Sequence, residues 1–267
     1  MSFRSVALSA VALVLAIGVA DAVIVRSGEA GTFWFTSIAR TSLLALVAIT
    51  AAATASRFRW WGDYAGRAWT LFCIAYTLLA GSEIMRRFLP TRESAREMLV
   101  LVANLAIIGA YWLFARSLHA AGLDYYGSAA KKIAVIVIAI ALAVALCSNS
   151  VMGEIASIRA GDARPGSLIS VLADMITFVL VAPLLLTAFA LRGGQLFWMF
   201  ALLTAGTFGW MVNQGSAGVL RLFGWEGAVH TGRMVGFAIA CAFIAAAALT
   251  QLMATQRRAM QAEVAHV

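Results

Sequence analysis

Two charged residues that lie inside long apolar stretches are the first candidates for chemistry. Arg40 lies within Thr36–Ala55, and Asp174 lies within Ser167–Leu186. Such a charge in the middle of a membrane costs about 2.5–3.5 kcal/mol on insertion scales unless it pairs or faces water. We therefore predict that Arg40 and Asp174 form an ion pair in the protein interior or line a cavity, with Arg40 also available to a ligand anion. The alternative for Arg40 is to extend its long side chain to the membrane surface.

Other polar or aromatic residues fall at corresponding depths in the neighbouring apolar stretches. We predict that they share a ligand-binding site with Arg40 and Asp174. The adjacent amide side chains of Asn213 and Gln214 would supply its hydrogen-bond donors. The site residues added in this way are Glu83, Asn104, Trp210, Asn213 and Gln214.

Three of these residues also have ordinary structural interpretations. Glu83 precedes Arg87 by four residues, which is the spacing of a surface ion pair on a helix. Asn104 can hydrogen-bond across a helix pair, and Trp210 can belong to the aromatic belt at the membrane interface.

Residue patterns of known catalytic sites do not occur in this sequence. It contains no H-E-x-x-H, no G-x-S-x-G and no C-x-x-C motif. Paired histidines that could hold haem or a metal within apolar stretches do not occur either. We therefore predict no catalytic residue, no metal site and no cofactor, and we do not expect an enzyme.

The composition places these residues in a membrane protein. Of 267 residues, 63% are hydrophobic and 12% are charged, whereas a soluble domain carries roughly 25% charge. The mean hydropathy is +0.90. The net charge of +8 is typical of basic loops at an anionic membrane surface. No basic stripe interleaved with aromatic residues suggests nucleic-acid binding.

Eight stretches approach or exceed the roughly 20 apolar residues that a helix needs to cross a bilayer. They predict an all-α, polytopic transmembrane helical bundle over residues 1–256, followed by a cytoplasmic helical tail over 257–267. The predicted spans are Ser5–Val25, Phe33–Ala55, Ala68–Met85, Met98–Leu118, Ile133–Met152, Ser167–Leu191, Leu196–Val212 and Val229–Met253. The first span also has the layout of a cleavable signal peptide, with A-x-A at 20–22.

The eight spans are compatible with two four-helix halves, 1–125 and 130–256. Offsets of about 127–134 residues align the Gly66 region with the Gly193 region and bring Arg40 opposite Asp174. Shared membrane periodicity is the alternative explanation. An even number of spans puts both termini on one side, which we predict to be the cytoplasmic side of a bacterial-type inner membrane. Alternating helix direction then gathers the polar residues in the outer half of the bundle.

This one-sided distribution leads to three functional hypotheses. The first is a non-enzymatic receptor whose outer-side pocket binds a small polar or amphipathic ligand and relays occupancy through the last helix to a partner protein or a second copy. The second is a small secondary transporter of two four-helix halves. The third is a structural or assembly subunit of a membrane complex. The lipid bilayer is a partner in all three.

Overall fold

The computed structural model describes residues 2–26, 28–123, 128–161, 165–190 and 194–264, and in these ranges the chain is helical and contains no strand. A short 3₁₀ helix, Glu226–Ala228, precedes the last long helix. The long helices are α1 Phe3–Val25, α2 Glu29–Arg57, α3 Tyr64–Phe88, α4 Glu93–Ala120, α5 Ala129–Arg159, α6 Pro165–Ala190, α7 Gln195–Leu222 and α8 Val229–Val264. The predicted all-α bundle of eight helices is confirmed.

The helices are long enough to cross a membrane. They range from 23 residues in α1 to 36 in α8, and all eight in the described ranges carry a sufficiently apolar window. The protein is therefore an integral, multi-pass membrane protein. Several helices extend beyond the predicted spans: α4 begins at Glu93 instead of Met98, and α5 ends at Arg159 instead of Met152. Hydropathy marks only the part in hydrocarbon, while helical hydrogen bonding continues into the interface.

Side chains at the helix starts satisfy backbone donors that have no partner within the helix. Ser2 and Ser5 form a reciprocal capping box at the start of α1. The Asp63 side chain accepts a hydrogen bond of 2.6 Å from the Gly66 N–H at the start of α3. These caps fix where the chain leaves each loop and enters the bundle.

Helix α8 lies at the centre of one side of the bundle. It packs on α1, α2 and α7 and is the most buried span. Helix α3 packs between α2 and α4, while α6 packs on α4, α5 and α7. In the described ranges α4 and α5 have no packed interface with each other, although both pack on α6. The bundle surface therefore has a cleft between α4 and α5, with α6 as its floor.

Glycines bring α7 and α8 into backbone contact. A Cβ atom built on Gly209 would lie 2.4 Å from the Ala240 backbone nitrogen, and one on Gly236 would lie 2.4 Å from the Asn213 backbone nitrogen. Small residues permit this close approach between membrane helices, where van der Waals packing drives association. Helices α7 and α8 therefore behave as one packed pair.

Large aromatic side chains fill the space between α3, α4 and α7. Six of them are almost completely buried: Trp69, Phe72, Tyr76, Tyr111, Phe114 and Phe200. Two hydrogen bonds connect this aromatic core to α7. The Tyr111 hydroxyl lies 2.6 Å from Thr207 Oγ1, and Trp210 Nε1 donates a bond of 3.1 Å to the Tyr76 hydroxyl.

The helix neighbours agree only in part with a duplicated bundle. Helix α2 packs on α3 and α8, and α6 packs on the equivalent helices α7 and α4. However, α1 packs on α8, whereas α5 packs on α7. The duplication into 1–125 and 130–256 stays a prediction. Helix α8 continues to Val264, residues 265–267 lie outside the described part, and the cytoplasmic position of the 257–267 tail stays a prediction.

Candidate functional site

Polar side chains from different helices meet at one end of the bundle, which we call the polar end. It is formed by the last turns of α1, α3, α5 and α7 and the first turns of α2, α4, α6 and α8. Contacts there join distant parts of the chain. Examples are Arg40 with Glu83, Gln214 with Asp174, Ser167 with Glu154 and His230 with Asp21. Of the seven predicted site residues, Arg40 and Glu83 therefore meet in one group and Asp174 and Gln214 in another.

Arg40 belongs to a charged group on α2 and α3. Its Nε atom lies 3.1 Å from Glu83 Oε1, and Arg86 Nη2 lies 2.6 Å from Glu83 Oε2. The Arg40 guanidinium also lies 4.3 Å from the centre of the Phe237 ring on α8. One carboxylate thus serves two arginines, and the aromatic face supplies Arg40 with a further favourable contact.

The predicted ion pair between Arg40 and Asp174 is not formed. Helix α2 packs on α1, α3 and α8, whereas α6 packs on α4, α5 and α7. Similar depth in the membrane places two residues at one level but does not make their helices neighbours. The predicted contact of Glu83 with Arg87 is replaced as well, because Arg86 holds Glu83 and the Arg87 guanidinium lies 3.5 Å from the centre of the Trp34 ring.

Asp174 finds its partner on α7. Only 8% of Asp174 is exposed, and its Oδ2 atom accepts a hydrogen bond of 3.0 Å from Gln214 Nε2. The Gln214 backbone carbonyl accepts a bond of 2.7 Å from the Ser150 hydroxyl on α5. This group of three residues joins α5, α6 and α7 at the polar end.

The remaining predicted residues are buried between helices. Trp210 bonds to Tyr76 and packs edge-on against Phe237 at 5.2 Å, so its indole belongs to the interior and not to an interfacial belt. Asn213 is buried where α7 contacts Gly236 of α8. Asn104 is buried on α4, and its Nδ2 atom has no hydrogen-bond partner.

A cavity of about 270 Å³ opens at the polar end, and we call it the polar pocket. Helices α4 to α7 all contribute to it. Its lining residues are Arg96, Glu97, Val100, Glu154, Gly166, Ser167, Ser170, Val171 and Gln214. Gln214 links this cavity to Asp174, which lies one turn after Ser170 and Val171 on α6. Of the predicted site residues, Gln214 lines the polar pocket and Asp174 lies directly behind it.

The polar pocket forms one end of the α4–α5 cleft, and a second cavity of about 380 Å³ forms the other end. We call the second cavity the basic pocket. Helices α4, α5 and α6 line it, together with Leu123 just after α4. Its residues are Trp112, Ala115, Arg116, His119, Leu123, Ile136, Val179, Leu180 and Pro183. The two cavities therefore lie along α6 towards opposite membrane faces, on the side where α4 and α5 do not pack on each other.

Three charged residues of the polar pocket, Arg96, Glu97 and Glu154, were not among the site residues predicted from the sequence. They lie on the terminal turns of α4 and α5, beyond the apolar windows. The sequence does indicate that α4 begins before its apolar stretch, because the residues just before that stretch favour helix and include no Gly or Pro. Their position on regular helices fixes the direction of their side chains and allows them to converge.

A separate buried charge joins α1 to α8. Asp21 is fully buried, and its Oδ1 atom lies 3.3 Å from His230 Nε2. The same His230 nitrogen lies 3.2 Å from the Thr36 hydroxyl on α2. These contacts make Asp21 and His230 part of the packing of α1, α2 and α8. Among the residues that the structure describes, no three His, Cys, Asp or Glu side chains are grouped to hold a metal ion.

Comparisons with known proteins give no relative from which a site could be transferred. No protein-family model matches the chain, and neither a curated protein nor a solved structure matches it. The functional argument therefore depends on the polar pocket, the cleft and the packing of the helices around them.

Proposed function

We propose that this protein is a membrane receptor for an amphipathic ligand with a positively charged head group. The head group would bind in the polar pocket, the apolar part would lie in the α4–α5 cleft, and α7 and α8 would relay occupancy. The single observation that carries the proposal is a charged cavity located inside a cleft that is open to lipid. In this proposal the polar end faces the outside of a bacterial-type inner membrane.

The described lining of the polar pocket favours a head group that donates hydrogen bonds. Glu97 and Glu154 contribute two carboxylates, whereas Arg96 is the one described basic residue in the lining. Arg96 already lies 3.2 Å from Glu93. Gln214 donates its amide nitrogen to Asp174, which leaves its side-chain oxygen as an acceptor. An ammonium group carries positive charge and several N–H donors, and it therefore fits this lining.

The position of the cavity favours an amphipathic ligand over a purely polar one. Helix α5 exposes most of its span to lipid, and α4 does not close over it. A ligand in the polar pocket would therefore contact bilayer on one side. A hydrocarbon chain attached to the head group would lie in the cleft and stay in apolar surroundings while the head group is bound, with van der Waals packing against the helices as its contribution.

Helix packing provides a route from the pocket to the end of α8. Gln214 contacts the pocket from α7, and α7 is in backbone contact with α8 through Gly209 and Gly236. A shift of α7 on ligand binding would therefore displace α8 as well. Helix α8 is the longest helix and runs to Val264 at the opposite end of the bundle.

Binding is tested with dodecylamine and the protein in phosphatidylcholine nanodiscs, by isothermal titration calorimetry. We expect wild type to bind dodecylamine, and Glu154→Gln to weaken binding about tenfold, equivalent to 1.4 kcal/mol. Glu226→Gln is the matched control, because Glu226 is exposed in the 3₁₀ helix and lies outside the pocket. Butylamine tests the need for a chain, and dodecanol tests the need for a charge.

Equal binding of dodecanol and dodecylamine would contradict the charged head group, and equal binding of butylamine would contradict the amphipathic ligand. The relay is tested by spin labels at Ala121→Cys and Thr255→Cys, with the native cysteines replaced. Dodecylamine should change their distance distribution. Binding without any change would contradict the relay.

A small transporter is the second candidate, and one contact favours it. Trp210 and Tyr76 are 134 residues apart and bond to each other, at the same separation as Arg40 and Asp174. This bond joins α3 to α7, which are the third helices of the two predicted halves. Transport of a fluorescent dodecylamine between leaflets of a proteoliposome, lost in Asp174→Ala, would support this candidate over the receptor. A stoichiometric partner on purification would support the third candidate, a subunit of a membrane complex.

A further inference from the structure

We infer that the basic pocket, at the other end of the α4–α5 cleft, binds an anionic phospholipid. This inference goes beyond the proposed receptor function and does not depend on it, because it concerns the opposite membrane face and a ligand of opposite charge. The occupant is a lipid from the surrounding leaflet, with its phosphate at the basic rim and an acyl chain in the cleft.

Basic residues from α4 line the rim, and a lysine on α5 lies one helical turn from a lining residue. Arg116 and His119 line the pocket from α4. Lys132 lies four residues before Ile136, which lines the pocket from α5, so Lys132 and Ile136 share one face of that helix. The described residues in this half of α4, α5 and α6 include no Asp or Glu. Arg116 and Lys132 therefore give the described part of this region a positive charge, and basic pockets between membrane helices are suited to anionic head groups.

Below the rim, the lining is apolar. Trp112, Ile136, Val179, Leu180 and Pro183 form the deeper part of the cavity. The Arg116 guanidinium lies 5.0 Å from the centre of the Trp112 ring, where a cation–π contact holds it at the boundary between charged rim and apolar wall. This order, cation first and hydrocarbon surface next, matches the order of phosphate and acyl chain in a phospholipid.

The location of the pocket selects lipid as its occupant. All three of its helices span the membrane, and the missing contact between α4 and α5 opens the cavity sideways. Half of Trp112 is exposed on this surface. Whatever fills the cavity therefore enters from the bilayer, and the charge of the rim selects anionic lipids from it.

The test is native mass spectrometry of the full chain, purified in mild detergent with equal amounts of phosphatidylglycerol and phosphatidylcholine. Wild type should retain phosphatidylglycerol preferentially. Each basic residue near an anionic lipid contributes about a fivefold gain in affinity. Arg116→Gln combined with Lys132→Gln should therefore lower the ratio of the two adducts by about 25-fold.

The matched control combines Arg4→Gln with Arg57→Gln. It removes two positive charges at the same end of the bundle, and both residues are exposed and distant from the cleft. The control should keep the wild-type ratio. Equal loss in both double variants would show attraction by overall charge and would overturn the pocket, as would an unchanged ratio in the Arg116 and Lys132 variant.

A second measurement does not require the charge variants to fold. Brominated acyl chains quench tryptophan on contact, so brominated phosphatidylglycerol in nanodiscs should quench wild type more strongly than brominated phosphatidylcholine does. Trp112→Phe should remove the difference. If the two lipids quench equally, or if the difference persists in Trp112→Phe, the inference is wrong.

Discussion

Gln214 donates a hydrogen bond of 3.0 Å to Asp174, and through this contact the polar pocket reaches a carboxylate buried within the bundle. Gln214 lines the pocket on one side, and its helix packs against α8 on the other. Charge inside the membrane, ligand access and the packing of the central helix therefore meet at one amide side chain. The predictions below test the contacts that make this arrangement possible.

Removing the amide should destabilise the protein through Asp174. Gln214→Ala leaves a buried carboxylate without its donor, which costs about 1–3 kcal/mol. Asp174→Asn should cost less, because the asparagine oxygen still accepts from Gln214 and no charge is buried. The apparent melting temperature in detergent checks this order. A larger loss for Asp174→Asn than for Gln214→Ala would contradict it.

Replacing Glu83 should reduce the stability of the protein more than replacing Arg40, because the Glu83 carboxylate contacts two arginines. In Arg40→Ala, Glu83 still has its contact with Arg86 at 2.6 Å. In Glu83→Ala, Arg40 remains inside the membrane without its carboxylate partner. Removing one partner of a fully buried ion pair costs about 3–5 kcal/mol of stability. Because Arg40 is only partly buried, Glu83→Ala should cost somewhat less than this. Thermal unfolding of both variants measures the difference.

Double variants that include Arg40 test which helices are neighbours. The effects of Arg40→Ala and Asp174→Ala should add in the double variant, since the two side chains have separate partners. Arg40→Ala and Glu83→Ala, in contrast, should not add. Strong coupling between Arg40 and Asp174 would mean that α2 and α6 are neighbours after all.

The contact between α7 and α8 should not tolerate a larger residue. Gly209→Val would place atoms 2.4 Å from the Ala240 backbone, so the two helices must separate, at a cost of several kcal/mol. Gly153→Val is the matched control, because nothing lies within 4 Å of the position of its Cβ atom on α5. We expect the control to be close to wild type in melting temperature and Gly209→Val to fold poorly. Similar behaviour of the two variants would argue against the tight pair.

The hydrogen bond between Trp210 and Tyr76 should be measurable as a coupling. Tyr76→Phe leaves the Trp210 indole N–H without its acceptor and should cost about 1 kcal/mol. In the Trp210→Phe background the same change should cost little, because no donor is left to satisfy. A double-mutant cycle on the melting temperature measures the difference between the two backgrounds, and identical costs would show that the bond contributes nothing.

The sequence by itself determined the fold class, the number of helices and the depth of the polar residues. Eight apolar stretches suffice for this, because in hydrocarbon every backbone group must be satisfied within a helix. Once the count is even and each helix reverses direction, Asp21, Arg40, Glu83, Asp174 and Gln214 must fall at one end of the bundle. That part of the prediction requires only the position of each residue along the membrane normal, which the chain order gives.

Only the tertiary structure decided which of these residues meet. Arg40 lies beside Glu83 and not Asp174, and Glu154 reaches the same cavity as Gln214. Lipid surrounds a membrane helix with uniform hydrocarbon, so hydropathy does not indicate which face meets which neighbour. That choice is made by local packing, such as the glycines between α7 and α8, and by the gap left between α4 and α5. The polar pocket and the cleft exist because of those lateral contacts.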